Sequence, residues 1–490
     1  MDKIKHVFEQ IKNFSHHRLT KEQKSLIDKE KLSDDIFEQI KDFKYWYLTK
    51  EQESLIDKLI TDKELKERYK KYGLCDECKQ PNTYYYYYCQ PCNSKRFQQN
   101  FKNWTSGNHD VDEFIQKAQL KAEKFQCVIE WIEYDKFEDV EYLAKGGFGT
   151  TFKAVWKDGY IDYWDYDNNK WKRIRKTKVA LKCLHNSQDI TTDFLKEIES
   201  NIIVCSFSSG HVVRCFGITK DPKTNNFIMV MELINGSLRQ HLNYNFISLS
   251  WDKKLGYLFG IACGLSDIHN KGLIHHDFHC GNILDDFVTF AYITDLGLCQ
   301  PANVKSSQNT PEVLRGKEYT QASDIYGFGI IAYEICTGFP PYYDIAHDEF
   351  LAMKICKGLR PRSNYKIPQL IFDLINQCWD ADPLKRPKAN KLRELLENLY
   401  CYSLKNSVID QFEEADEINK KLSFSTVQSP SSSTSTLLYM THPQAVYTSR
   451  LLDFKNLPEP KNADNDDLEY SDSLRMDFTK LDINSKDERN

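Results

Sequence analysis

The sequence lacks any apolar run approaching the ~20 residues that a membrane-spanning helix needs, and its first ten residues, MDKIKHVFEQ, hold no apolar stretch like that of a secretory signal. It also lacks an excess of charge of one sign. The 66 Lys and Arg stand against 71 Asp and Glu, a formal net charge of -5, so no chain-wide field attracts nucleic acid or an anionic membrane. These absences lead to the expectation of a cytoplasmic chain without a membrane partner. Residues able to build a core are plentiful. Hydrophobic content is 41% and charged content 28% over 490 residues, which suits a globular protein of two to four domains. Of the 15 cysteines, four fall in paired spacing and the rest are scattered through periodic segments. That usage predicts a reducing compartment, one metal site and mostly buried thiols.

Residues 1–72 repeat themselves. FEQIKNFSHHRLTKEQKSLIDK begins at Phe8 and FEQIKDFKYWYLTKEQESLIDK at Phe37, a period of 29 residues. Thr20 with Gln23, and Thr49 with Gln52, fit capping boxes at helix starts, and Thr61 with Glu64 suggests a third. The region reads as a duplicated helical arm that packs on its own neighbours, with a small partner-binding or dimerising module as the alternative. Residues 73–93 carry Cys75-x2-Cys78 and Cys89-x2-Cys92. Two such turns aim four thiolates at one point, the donor set of a closed structural zinc site. The tyrosine run Tyr84–Tyr88 with Lys95, Arg96 and Lys102 offers stacking and charge to a nucleic acid, but packing on the knuckle is the stronger reading, and no nucleic-acid partner is expected. Residues 94–137 form a connector, with Asp110 placed to cap a helix through Phe114, Ile115, Ala118 and Ala122.

Residues 138–400 carry the chemistry. Asp277 lies in His275-His276-Asp277-Phe278-His279-Cys280-Gly281-Asn282, with Asp295-Leu296-Gly297 beyond a short hairpin. A carboxylate suits proton acceptance from a hydroxyl, while Asn282 and Asp295 offer hard oxygen ligands for magnesium. Upstream, Ala144-Lys145-Gly146-Gly147-Phe148-Gly149-Thr150-Thr151 is a glycine loop that can bring backbone N–H groups to phosphates. Val179-Ala180-Leu181-Lys182, a helical stretch holding Glu197, and Met231-Glu232-Leu233-Ile234 follow in order.

Together these segments resemble eukaryotic protein kinases: the glycine loop, V-A-I-K, the hinge, H-R-D-L-x-x-x-N and D-F-G. The resemblance implies an α+β, bilobal fold, with a small antiparallel β lobe and a helical lobe. It implies that Gly146, Gly147 and Gly149 cover ATP phosphates, with Ala144 in place of the first glycine of the pattern and Thr151 in place of its valine. Lys182 would hold the α and β phosphates and Glu197 would pair with it. Met231 would stand behind the adenine, Glu232 and Ile234 would meet its edge through backbone groups, and Ala180 and Leu284 would sandwich it. Asp277 would be the proton acceptor, and Asn282 and Asp295 the Mg2+ ligands. Asp324 would hold the catalytic loop, and Arg386 would pair with Glu312. More narrowly, the chain is similar to the tyrosine-kinase-like group, mostly serine/threonine-specific, and to fungal members with an N-terminal CxxC pair and a serine-rich tail.

Three departures bear on this expectation. His276 replaces the usual arginine, and His279 stands where serine/threonine kinases place lysine. Only 16 residues lie between Asp295 and Glu312, short for a segment that presents a peptide. The implied activity is transfer of the γ-phosphoryl group of Mg-ATP to Ser/Thr hydroxyls of protein substrates, in signalling. The alternative is an ATP-binding pseudokinase scaffold. Residues 401–490, rich in serine and threonine from Ser423 to Thr436 and acidic towards the end, read as a mostly disordered tail in which Leu451, Leu452 and Phe454 could dock locally.

Overall fold

The computed structural model describes residues 32–84, 88–145, 149–184, 187–188, 190–205, 209–287, 290–301, 311–315, 317–401, 406–426, 441–447, 454 and 457–463. The first repeat copy with Thr20 and Gln23, the glycines Gly146 and Gly147, Leu451, Leu452 and most of the stretch between Asp295 and Glu312 lie outside them. The chain divides into two compact units, residues 1–128 with 161–173 and residues 129–160 with 174–490. Among the described residues, no helix is long and apolar enough to cross a membrane.

In the first unit, α1 (Asp34–Ile40), α2 (Lys50–Leu59) and α3 (Lys63–Tyr72) close around Ile40, Ile56, Ile60, Leu65 and Tyr69. The capping box at Thr49 is formed: Gln52 N donates to Thr49 Oγ1 at 3.3 Å and Thr49 N to Gln52 Oε1 at 3.0 Å. The third helix starts one residue later than the sequence suggests. Asp62, not Thr61, is its N-cap and accepts from Leu65 N at 2.7 Å, because a carboxylate satisfies an orphan N–H and also complements the helix dipole. Two further helices follow, α4 (Gln90–Asn100) and α5 (His109–Lys121). Asn108 caps α5, ahead of the expected Asp110, accepting from the N–H groups of Asp110 and Val111.

The second unit opens with a six-stranded sheet in the order β1-β7-β8-β6-β3-β2. Its strands are β1 (Glu130–Trp131), β2 (Phe137–Lys145), β3 (Gly149–Trp156), β6 (Thr177–Leu184), β7 (Cys215–Lys220) and β8 (Phe227–Glu232). Between β3 and β6 the chain runs out through β4 (Tyr160–Asp165) and back through β5 (Lys170–Ile174). The two strands form a sheet of their own, and residues 161–173 belong to the first unit. There Phe97 stacks on Trp171 with centroids 4.8 Å apart, and the Arg96 guanidinium lies 4.3 Å over Trp164.

After α6 (Thr192–Cys205), β9 (Gly236–Ser237) and α7 (Leu238–Asn245), the helical lobe is built on α8 (Trp251–Asn270). That helix is buried on nearly every side, from Trp251 to Ile268, which is why its apolar pattern shows little one-sided periodicity. Short strands β10 (Leu273–Ile274), β11 (Ile283–Asp285) and β12 (Ala291–Ile293) flank the loop carrying Asp277, and β11 pairs with both β12 and β9. The helices α9 (Pro311–Leu314), α10 (Gln321–Thr337), α11 (Glu349–Cys356), α12 (Gln369–Cys378) and α13 (Ala389–Cys401) complete the lobe.

The region read from sequence as a tail holds more structure than expected. A helix α14 (Asn406–Thr426) buries Ala415 and brings Phe412 against Trp251. Leu457 joins Leu314, Ala352 and Cys356, with Phe454 beside them, and Glu459 pairs with Arg315. These are single apolar residues in polar surroundings, so no periodicity marks them. Residues 427–436, which hold most of the serine- and threonine-rich stretch, lie outside the described residues.

Candidate functional site

Alternation along β6 buries Val179 and Leu181 on one face and turns Ala180 and Lys182 to the other. Strand register then places three of the singled-out residues on one rung: Ala144 pairs with Thr151, and Thr151 with Lys182. Ala180 pairs with Met231 on β8. Gly149 is needed for a structural reason as well, since a Cβ there would stand 2.3 Å from the Cys183 carbonyl oxygen.

Lys182 Nζ lies 2.6 Å from Glu197 Oε1 of α6 and 3.0 Å from Asp295 Oδ1. Burial alone would push the ammonium down, but the two carboxylates outweigh it and hold the lysine above its ordinary value. Asp295 has a left-handed backbone, φ 63, and two residues on Gly297 leaves room for the Glu197 carboxylate, which a Cβ would approach to 2.9 Å. Glu197, fifteen residues beyond Lys182, is thus the carboxylate of α6 that meets the ammonium.

The loop carrying Asp277 is held from below by Asp324 of α10. This carboxylate, fully buried, accepts from His275 N at 2.9 Å and His276 N at 3.4 Å, and lies 2.8 Å from His269 Nε2. His275 Nδ1 accepts from Asp277 N, so its Nε2 carries the proton and donates to Thr294 O at 3.1 Å. Asn282 spends its NH2 group on Asp277, donating to the backbone oxygen at 2.9 Å and to Oδ2 at 3.1 Å. The amide oxygen is the atom left for a ligand. Asn282 O in turn accepts from Thr294 N at 3.0 Å, next to Asp295. His276, in the arginine's place, is buried, has φ 66 and stacks on Tyr319 with centroids 4.9 Å apart; burial lowers its pKa.

The remaining positions are placed as follows. Leu284 on β11 is paired with Tyr292 and Ser237. Ile234 lies two residues past the end of β8, outside any helix or strand, and is half-buried. Glu232 N–H donates to Arg214 O at 2.8 Å, so only its carbonyl could still meet a nucleotide. Arg386 donates to the carbonyls of Asp380 and Ala322, and the Glu312 side chain lies outside the described residues.

In the first unit, the Sγ atoms of Cys75, Cys78, Cys89 and Cys92 all lie within 4.8 Å of one another, with Cys75–Cys92 at 3.8 Å and Cys78–Cys89 at 3.5 Å. A tetrahedron of thiolates about 2.3 Å from zinc has edges of about 3.8 Å, so the donor set fits that ion. Asn82 fixes the first turn by donating to Tyr72 O and Leu74 O, while Cys89 and Cys92 sit at the start of α4.

Two features had no clear mark in the sequence. His279 Nδ1 accepts from Gly281 N at 3.0 Å, which leaves the proton on Nε2, 3.2 Å from Asp277 Oδ1. Its offset of two from Asp277 was the available cue. Arg239 and Glu334 form a two-pronged buried pair at 2.6 and 2.9 Å, 95 residues apart in sequence, with no motif to announce it.

Residues 137–396 match the family model described as protein tyrosine and serine/threonine kinase. A probable serine/threonine-protein kinase of Dictyostelium discoideum is 29% identical over 285 residues, covering 55% of this chain and 16% of that protein. A second probable serine/threonine-protein kinase of that organism is 28% identical over 279 residues, covering 55% of this chain and 28% of the other. A dual specificity protein kinase from the same source is 27% identical over 314 residues, covering 60% and 21%. The chain thus spans under a third of the length of each of these relatives.

Proposed function

Since the chain belongs to the protein tyrosine and serine/threonine kinase family, we propose that residues 138–400 transfer the γ-phosphoryl group of Mg-ATP to Ser or Thr hydroxyls of protein substrates. The observation that carries this reading is the meeting of Lys182 with Glu197 and Asp295, one hydrogen-bonded residue away from Asn282 and Asp277. Lys182 binds the α and β phosphates, and Glu197 keeps its ammonium in place. The Asn282 oxygen and Asp295 supply hard oxygen ligands of the kind magnesium takes. When bound, that ion neutralises phosphate charge as the transfer proceeds. Asp277 orients the substrate hydroxyl: its oxygen bonds to the γ phosphorus, its proton passes to Asp277, the bridging P–O bond breaks and ADP leaves. Asn282 holds one oxygen of Asp277 by a hydrogen bond, with His279 Nε2 3.2 Å from the other, and so fixes the acceptor's direction.

The finer reading follows the motifs: a tyrosine-kinase-like member acting on Ser/Thr within the cell, with a structural zinc in the Cys75–Cys92 knuckle and the helical region to residue 72 as a surface for a protein partner. His279 in the lysine position leaves the acceptor hydroxyl less firmly specified, and a relative bearing the dual specificity description agrees with that. One observation favours a second reading, an ATP-binding scaffold: the 16 residues between Asp295 and Glu312. Transfer of radiolabelled γ-phosphate to a generic protein substrate by wild type and Asp277→Ala separates the two. Label above the variant's level establishes the enzyme, whereas nucleotide-induced stabilisation with equal label in both establishes the scaffold.

A further inference from the structure

Away from the proposed phosphate site, the helical lobe buries a lysine that forms no ion pair among the described residues. Lys254, on the first turns of α8, is 3% exposed. Its Nζ lies 4.2 Å from the centre of the Phe246 ring and 4.8 Å from that of Trp251. Among the described residues, no carboxylate comes within ion-pair distance of it. Ring faces offset part of the cost of burying an ammonium, but an unpaired charge in such a place is expensive.

The lysine lines a cavity of about 140 Å³ together with Phe246, Leu249, Tyr365, Asp416 and Lys420. Two of the other polar groups of the wall are already engaged: Asn419 exchanges two hydrogen bonds with the Lys366 backbone at 2.7 and 2.9 Å, and Ser248 Oγ donates to Asn245 O at 2.8 Å. The walls therefore present two ammonium groups against one carboxylate, beside a ring-lined volume. A cavity of about 150 Å³ admits one benzene ring.

We propose that this cavity is a binding site for a small monocarboxylate, its anion paired with Lys254 Nζ and its apolar body lying against Phe246, Leu249 and Tyr365. A single negative charge matches the excess of one positive charge on the wall; a phosphate dianion would exceed it and would leave the rings unused. The site is independent of the nucleotide cleft and of its activity.

Burial holds the Lys254 amine down to about 8. The groups facing it are Asp416 and Lys420 from α14, Cys336 from α10, whose thiol burial pushes up to about 12, and Tyr365. A carboxylate binds the ammonium form, so its affinity falls as pH rises through that value. The apparent dissociation constant should be roughly 30-fold weaker at pH 9.5 than at pH 7, following the fraction of ammonium.

The experiment titrates the full chain with benzoate, following thermal stability and pH dependence, with benzyl alcohol as the uncharged match and Lys254→Met as the variant. Methionine fills the same space without the charge, and its fold is checked by its own melting curve. Saturable stabilisation by benzoate that Lys254→Met abolishes, and that weakens from pH 7 to pH 9.5, is the expected result. Equal stabilisation of variant and wild type, no stabilisation of either, or benzyl alcohol matching benzoate would each overturn the proposal.

Discussion

Replacing Glu197 by Gln keeps the shape of the side chain and removes its charge. Glu197 is 5% exposed and its oxygen sits 2.6 Å from Lys182 Nζ, so the change breaks a buried ion pair. Losing one partner of such a pair costs about 3–5 kcal/mol when the survivor is left alone. Here Lys182 keeps Asp295 at 3.0 Å, and its own side chain is 16% exposed. Those two facts bring the expected loss down to about 2 kcal/mol, a fall in melting temperature of roughly 4–8 °C for a domain of this size. The freed lysine then closes on Asp295, moving the proposed phosphate-binding group and occupying an oxygen that the proposed mechanism gives to magnesium. A displacement of about 1 Å costs on the order of 100-fold in rate. The assay is a double-mutant cycle of Glu197→Gln with Lys182→Met, read by thermal denaturation and by single-turnover transfer. The coupling energy should be about 1.5–3 kcal/mol. Coupling below about 0.5 kcal/mol, with wild-type nucleotide affinity in Glu197→Gln, would refute the reasoning.

Three other outcomes are expected. Metal analysis should find one zinc per chain, lost in Cys78→Ser along with the protection of α4 amides from hydrogen exchange; a metal-free chain with those amides still protected would remove the knuckle reading. Lys254→Met should stabilise the protein by about 1–3 kcal/mol near pH 7, because an apolar group replaces a buried charge. The sign with pH follows from a folded-state value of about 8 against 10.5 in the unfolded chain: the unfolded state holds more protons between those values, so wild-type stability climbs across that window by up to about 3 kcal/mol and the variant's does not. Leu457→Asp should release the segment packed on α9 and α11 at a cost of about 2 kcal/mol, seen as faster exchange of the His442 and Lys461 amides, which donate to Tyr343 O and Cys356 O; unchanged exchange would show that Leu457 does not anchor it.

Much of the site could be read from the chain because its parts are local. Asp277 and Asn282 are five residues apart, so loop geometry alone brings the amide to the carboxylate. The Cys-x2-Cys turns are likewise short-range, and their convergence within 4.8 Å follows from a turn and a helix start. Alternation along β6 separates Lys182 from the core without reference to anything distant. The capping box at Thr49 is legible for the same reason, whereas the shift from Thr61 to Asp62 turned on two adjacent capping residues that the sequence could not rank.

The sequence by itself determined the order of the motifs, which of their side chains carry carboxylate, amide, ammonium or thiol groups, and the faces they occupy on each strand and helix, because these depend on spacings of a few residues and on periods of 2 and 3.6. Only the tertiary structure decided that Lys182 bridges Glu197 and Asp295 across 113 residues, that Asp324 carries the loop of Asp277, that the hairpin 161–173 belongs with residues 1–128, and that Lys254 is buried without an ion pair among the described residues. Each of those depends on which surfaces meet after long loops close, and the free energy of that choice is shared among many contacts that no single stretch of the chain contains.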